Sequence, residues 1–486
     1  MTFNKTIAVI QKPITAFDVK FRKRMWKTNL EALWAIFSLM LQVLPEIYNI
    51  AVLSNHGNSM LVGGAGLGVM FINMFVYGTF EGMNGAIDTF VAQSFGARDM
   101  YQCNLIFNRS RIINTFVFIP VTFLLLSSRY ILDLLNQPKV VSEYAQTYLL
   151  YQIPGLFAVM QFDTLRRYLQ AQGCFDLPTK TLIFTFIFHI LLISTVMHFV
   201  KYDPLIVCSM TTNCTLFLDY VVLKYMSSEY LERTNYLPLL TGAFDGWSEY
   251  LALAIPSAFI LCAEWWMYEA LTLFAGWLGV VYLATLIIIF NVHNLVYDVS
   301  YGLSQAASSQ IGRTLAEIGK KTAKKLLKFI LMFQMFICMI ITVGYYFCNK
   351  EIIKIYTDEE EMIQLFVECK YFIIVMFILD SSQIVLGGVI RGIGEQGESS
   401  VISFIAYAVI TLPLAILFSF WLNLKLQGIL LAYICGIMFN TIFTIIILCK
   451  SDWELTIDDS EEEIDYEDKL NAYVAIDGHQ FTYNQI

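Results

Sequence analysis

Charge is scarce in this 486-residue chain: only 15% of its residues are Asp, Glu, Lys or Arg, against 57% hydrophobic. A soluble globular protein carries about 25% charged and roughly 45–50% apolar residues, so a water-soluble fold is excluded. Paired cysteines are also missing. The ten cysteines show no C-x-x-C pairing or metal spacing, and most fall in apolar stretches, where they read as small apolar side chains rather than disulfides. His56, His189, His198, His293 and His479 are scattered, and no metal-ligating or catalytic set is expected. The apolar stretches do not alternate with polar residues, which excludes a transmembrane barrel and leaves helices.

Long hydrophobic runs are what the chain does have. About 20 apolar residues are needed to cross the hydrocarbon core as a helix. Twelve runs reach that length, at 30–53, 64–92, 112–135, 145–163, 181–200, 203–223, 248–274, 279–306, 326–348, 371–387, 400–421 and 427–449. The expected fold class is therefore an all-α polytopic membrane protein. The first run follows a polar, basic stretch and is too long for a cleavable signal, so it is expected to be a first spanning helix.

Twelve spans place both termini on one side. That side would carry 24 of the 31 Lys and Arg residues, including the "KFRKRMWK" stretch at 20–27, and the other side seven. Basic loops stay cytoplasmic, so both termini are expected there. The net charge of −9 comes from the end of the chain: residues 451–486 hold eleven acids and one lysine. That block is expected to be a solvated, disordered tail, with a sorting or partner-binding role as the alternative.

Two echoes suggest an internal repeat. "LRRYLQAQG" (165–173) rhymes with "VIRGIGEQG" (389–397), aligning Arg167 with Arg391, Gln172 with Gln396 and Gly173 with Gly397 at an offset of 224. "GMNGA" (82–86) rhymes with "GLSQA" (302–306) at an offset of 220. Equal orientation six spans apart fits a parallel repeat, which in carriers puts the substrate path between the halves. The expected organisation is a basic segment at 1–28, an N-lobe at 29–223, a linker at 224–247, a C-lobe at 248–449 and the acidic tail at 450–486. Gly63, Gly64, Gly66, Gly68, Gly78, Gly82 and Gly85 in the second run read as close helix packing. Pro45, Pro154, Pro256 and Pro413 each free a carbonyl and allow a bend.

The charges inside the apolar runs carry the chemistry. A carboxylate at mid-bilayer costs at least about 2.5–3.5 kcal/mol on insertion scales, so it faces the bundle interior. Glu264 and Asp380 lie deepest. Glu46, Glu81, Asp88, Asp163, Asp219 and Asp298 are weaker candidates, several of them near span ends where water would reach them and a capping role suffices. Glu264 and Tyr268 share a helix face, Trp265 and Glu269 a neighbouring one, and Asp380 continues through Gln383 to Gly387 as a polar stripe. Burial disfavours the charged form of a carboxyl group, and a second acid nearby adds to this. Such a pair can hold a proton near neutral pH and lose it to an arriving cation, while aromatic faces attract an organic cation. The alternative is a pair of permanently protonated, structural acids.

These stretches resemble a known family. "LAIPSAFILCAEWWMYEALTLFAG" (253–276) is similar to the span-seven motif of eukaryotic multidrug and toxin extrusion (MATE) transporters. "GMNGAIDTFVAQSFGA" (82–97), with Gln93 and Gly96, looks like the family signature ending span two. "RRYLQAQG" (166–173) and "DSSQIVLGGVIRGIGEQ" (380–396) match the loops after spans four and ten. The resemblance covers about residues 30–450 and is nearest to the plant-like branch. It implies a twelve-helix, two-lobed exporter whose cleft opens to alternate sides and exchanges organic cations or amphipathic metabolites for protons. It places proton coupling on Glu264 and Asp380, and substrate binding on Glu264, Trp265, Tyr268, Glu269, Asp380 and Gln383. Gln93, Gly96, Arg167, Gln172, Gly173, Arg391 and Gln396 fall in its structural motifs. The sequence departs where bacterial relatives carry a span-one aspartate, having Gln42 and Glu46 beside Pro45 instead, and at Gln310, where the family usually has arginine.

No cofactor is expected beyond a coupling ion, the proton, with sodium as the alternative. The expected partners are a small organic substrate and the lipid bilayer, with no nucleic acid, and the chain is expected to be a monomer in the plasma membrane or a vacuolar or other endomembrane. A lipid flippase would want a basic groove, whereas the deep charges are acidic. An intramembrane enzyme would want a metal set or a nucleophile–base pair, and neither spacing occurs.

Overall fold

A computed structural model describes residues 16–56, 59–135, 137–199, 202–233 and 242–456. The first part of the basic segment and the acidic tail beyond residue 456 lie outside the described residues. Twelve long helices account for most of the rest. They are α1 Ala16–His56, α2 Met60–Gly96, α3 Met100–Leu126, α4 Lys139–Ala171, α5 Asp176–Phe199 and α6 Pro204–Met226 in the first half. The second half has α7 Trp247–Leu278, α8 Val280–Glu317, α9 Lys320–Tyr356, α10 Lys370–Ile393, α11 Gln396–Trp421 and α12 Lys425–Lys450.

Eleven of the twelve are long and apolar enough to cross a membrane. The twelfth is α4, where the fourth span was expected. It is 33 residues long, and its last third, "QFDTLRRYLQA", is buried inside the protein rather than exposed to lipid. Several helices outrun the apolar stretches that announce them. The run at 279–306 continues as helix to Glu317, and the run at 326–348 is extended at both ends. Once a helix is nucleated, each further residue adds a hydrogen bond at little cost, so polar flanks prolong it into water.

Each half forms a six-helix lobe. In the first, α4 packs against α2 and α6, and α5 against α1 and α6; in the second, α10 packs against α8, α9 and α12, and α7 against α11. The lobes meet where α1 and α2 lie against α8 and where α2 lies against α7. Small residues set that approach: a side chain on Gly82 would strike Ala258, and one on Gly96 would come within 2.6 Å of the Arg313 carbonyl. Not every glycine packs this way, since nothing lies within 4 Å of a Cβ built on Gly66.

Backbone irregularities fall in two membrane helices. A π-helical turn, Asn73–Tyr77, interrupts α2, and two more, Ile405–Thr411 and Leu417–Trp421, flank Pro413 in α11. Proline cannot donate to the helical ladder and displaces the carbonyl behind it, which the wider turns absorb.

The adjacent glycines of α10 divide packing from cavity. A Cβ on Gly388 would strike the Ser304 carbonyl group, with its carbon at 2.8 Å, whereas nothing lies within 4 Å of one on Gly387. Gly388→Ala should therefore cost about 1–3 kcal/mol by overpacking and lower the thermal midpoint in detergent. Gly387→Ala should hold or raise it, because alanine is the better helix former by roughly 0.5–1 kcal/mol.

Candidate functional site

A cavity opens in the C-lobe beside the junction of the lobes. Its walls include Glu264 from α7, Tyr297 and Tyr301 from α8, Gln383, Gly387 and Arg391 from α10, and Glu81 from α2. Glu264 is only 4% exposed, and its Oε1 has no hydrogen-bond partner among the described residues; neither has Gln383 Oε1. A buried polar atom left unpaired costs about 1–3 kcal/mol, so both oxygens are acceptors waiting for a donor or a cation. Glu264 also lies close enough to Asp380 and Arg391 for their charges to interact.

Asp380 sits behind this wall and is completely buried. Its Oδ2 lies 2.8 Å from Nε2 of His293 on α8, and the same nitrogen lies 3.1 Å from the Tyr268 hydroxyl. Tyr268 is hydrogen-bonded in turn to the hydroxyl of Tyr433 on α12. Four helices thus contribute one chain of polar groups. Two of the expected residues, Tyr268 and Asp380, meet only through His293, which the sequence shows as one of several scattered histidines. The available signal was its place in the apolar run "IIIFNVHNLV", where an ionisable group is as costly as the acids.

The other expected contacts are placed differently. Trp265 lies against α2, its ring 3.6 Å from a Cβ built on Gly78. Glu269 is half-buried and is not among the cavity walls, because five residues along a helix turn it away from Glu264.

The structural-motif residues form a seal between the lobes at the basic ends of the helices. Asp88 receives Arg167 Nη1 at 3.0 Å from its own lobe and Arg391 Nε at 3.4 Å from the other. Both guanidinium groups also lie over the Tyr301 ring, at 5.7 and 5.8 Å, and Arg167 donates to its hydroxyl at 2.9 Å. Gln93 donates to the Gly392 carbonyl at 3.1 Å and Gln396 to Thr89 at 2.7 Å, both across the lobes. Gly96 admits the Arg313 backbone. Gly173 has φ +92°, a conformation open to glycine, and lies against the Arg313 guanidinium. Gln172 accepts from Tyr230 at 2.7 Å through its side chain and from Arg313 of the other lobe at 3.3 Å through its backbone carbonyl.

Glu31, on α1, was not singled out in the sequence, yet it anchors the same seal. It is 3% exposed and binds Arg313 at 2.9 Å and Gln310 at 2.7 Å, both from α8. Gln310 therefore takes a direct part in lobe contact despite departing from the family pattern.

The weaker acids correct one expectation. Glu81, Asp88 and Asp163 do not sit at watery span ends. Arg166, with no exposed side-chain surface, bridges Asp163 and Glu81, the latter at 3.2 Å, and Asn84 donates to Asp163 at 2.6 Å. Their ends of α2 and α4 are enclosed by the seal, which removes water that a sequence alone would place there. Glu46 and Asp219 share a second cavity, inside the N-lobe, with Gln42, Tyr77 and Gln152. Asp298 is half-buried.

Deleting one member of a buried ion-pair cluster leaves the others uncompensated, at about 3–5 kcal/mol. Arg166→Ala should therefore lower thermal stability in detergent far more than removal of the exposed cation in the Arg129–Glu143 pair, where Arg129→Ala should cost at most about 1 kcal/mol.

Comparison with known proteins agrees with this architecture. Multidrug and toxin extrusion protein 2 of Oryctolagus cuniculus is 26% identical over 420 residues, covering 85% of this chain and 68% of the relative. Multidrug and toxin extrusion protein 1 of Homo sapiens is 25% identical over 420 residues, covering 86% and 73%. The crystal structure of the eukaryotic MATE transporter AtDTX14 superposes with a TM-score of 0.82 at 19% identity, covering 95% of this chain and 99% of that one. A multidrug resistance MATE family transporter in an outward-facing conformation gives 0.76 at 14% identity, covering 87% and 94%. The MatE family model matches residues 35–195 and 256–417, once on each lobe, and the chain therefore belongs to this family of membrane transporters rather than to any class of enzyme.

Proposed function

We propose that this transporter is a secondary active antiporter, exporting organic cations or amphipathic metabolites and xenobiotics in exchange for protons by alternating access. The observation that carries the reading is the unpaired, buried Glu264 carboxylate in a cavity whose basic side is sealed. With the basic loops in the cytoplasm, the seal through Asp88, Glu31 and Gln93 closes the cytoplasmic side, and the lobes stand ready to release substrate outward. Protons taken up in the C-lobe site around Glu264 and Asp380 lower the affinity for a cation. The seal then opens as the lobes rock inward, the protons leave to the cytosol, and substrate binds against Glu264 and Gln383 with Tyr268, Trp265 and Glu269 nearby. A ligand moves such an equilibrium only by its differential affinity for the two states.

Proton coupling is preferred to sodium because sodium needs several converging oxygen ligands, while the near partner of Asp380 is an imidazole nitrogen. An acidic rather than basic cavity likewise disfavours a flippase for anionic lipid. The protein is proposed to work as a monomer, with both termini cytoplasmic, in the plasma membrane or an endomembrane such as the vacuolar one.

The test is transport in reconstituted vesicles with an acid interior. Protons leaving down their gradient should drive uptake of a fluorescent organic cation by the wild type, and Glu264→Gln and Asp380→Asn should each lose that uptake. Uptake that follows a sodium gradient instead, or persists in both variants, would overturn the reading.

A further inference from the structure

His293 is 1% exposed in a site built from five helices. Its Nε2 is committed to Asp380 and Tyr268, whereas Nδ1 has no hydrogen-bond partner among the described residues. The ring stacks on Phe377, with centroids 5.8 Å apart and planes 13° from parallel, and meets Tyr433 edge-on at 6.3 Å and Tyr268 tilted at 6.1 Å. The titratable groups in contact with it are Tyr268 from α7, Asp380 from α10 and Tyr433 from α12, while Glu264 from α7 and Tyr407 from α11 lie within electrostatic reach of Asp380. On the far side of Phe377 stands Tyr345 from α9, 5.2 Å from that ring. None of these is cationic. The nearest base acting on the acids is Arg391, which is already engaged with Asp88 and Ser304.

This is an environment built for one positive charge. The carboxylate of Asp380 favours the tautomer with its hydrogen on Nε2, leaving the Nδ1 lone pair free. The face of Phe377, stacked on the ring, attracts a cation. A proton from hydronium that adds to Nδ1 breaks one O–H bond, releases water, and makes an imidazolium that pairs with Asp380 through the existing Nε2 hydrogen bond. One helical turn along α8, Tyr297 lines the cavity next to Glu264.

Resting on the antiport reading above, we propose that His293 is the carrier of the exchanged proton, with Asp380 as its positioning partner and Glu264 as the group that meets the cationic substrate. Protonated His293 is an internal cation that competes with the substrate for the negative charge of the C-lobe. Substrate binding to the unprotonated site and proton binding to His293 then exclude each other, which is the requirement for exchange.

The test is equilibrium binding of ethidium to the full-length protein in nanodiscs across pH 5–8, alongside acid-interior vesicle uptake. If each bound cation expels one proton, affinity falls about tenfold per pH unit on the acid side of the histidine's midpoint. His293→Gln should flatten that slope to less than about twofold per unit and abolish gradient-driven uptake. A His293→Gln protein that keeps the wild-type slope overturns the proposal. Should that variant fail to fold, histidine-labelled wild-type protein followed by NMR decides it: saturating ethidium must move the His293 titration to lower pH, and an unmoved titration overturns the role. A wild type without acid-driven uptake refutes the antiport reading itself, whereas a wild type that couples beside an unchanged His293→Gln slope refutes only the histidine's part.

Discussion

Asp88 is the point on which the architecture turns. It is a buried carboxylate in a low-dielectric interior, and an arginine from each lobe converges on it. A single acid held between Arg167 and Arg391 ties the two halves together while satisfying three charges that would each be prohibitive alone. Around it, the Glu31–Arg313 pair and the glutamines Gln93 and Gln396 add bonds that all cross the same plane. Because these contacts gather at the basic ends of the helices, the lobes have a closed side held by polar bonds. The cavity beside it is where α7, α8 and α10 diverge from α2. Lobe motion then requires exchanging a defined set of hydrogen bonds and ion pairs, which makes the closed side a two-state element rather than a continuously deformable one.

Charge inside this protein has two distinct fates. In the N-lobe, Arg166 is shared between Glu81 and Asp163, and Asn84 donates to Asp163, so each acid there has a cationic partner. In the C-lobe, among the described residues, no arginine or lysine forms an ion pair with Glu264 or Asp380, and Arg391 acts on Glu264 only at a distance. Asp380 has an imidazole instead, which carries charge only when protonated, and Glu264 keeps an oxygen with no partner. Paired charges of the first kind serve stability and specificity. Charges of the second kind are retained at a standing cost, and function is what repays it.

Much of this could be read from the residues. Hydrophobic runs located the helices, because length and composition settle which segments can cross a bilayer, and the depth of Glu264 and Asp380 singled them out. The helix outruns its apolar stretch by 11 residues at the end of α8 and by 14 at the start of α1, since the apolar run stops where the lipid stops and the helix does not. Glu81, Asp88 and Asp163 were misplaced in water for a related reason: a position along one helix says nothing about which neighbours cover it. His293 and Glu31 were passed over because their significance lies in partners 87 and 282 residues away, and such pairings exist only in three dimensions.

The internal repeat explains why the two lobes differ. At the offset of 224 that aligns Arg167 with Arg391, Asp163 corresponds to Gly387 and Arg166 to Ile390. The buried ion pair of the N-lobe is thus replaced in the C-lobe by a glycine and an isoleucine, both of which line the cavity. In the reverse direction, Asp380 corresponds to Leu156 and Gln383 to Val159, so the N-lobe counterpart of the polar stripe is apolar. One ancestral helix pattern has been resolved in opposite ways. Beside Asp163 the pattern keeps its own cation and the charge is structural, while the N-lobe cavity lies apart from it, around Glu46 and Asp219. Where it loses both partners, space opens, and the acids of the neighbouring helices are left to be satisfied by something that can leave.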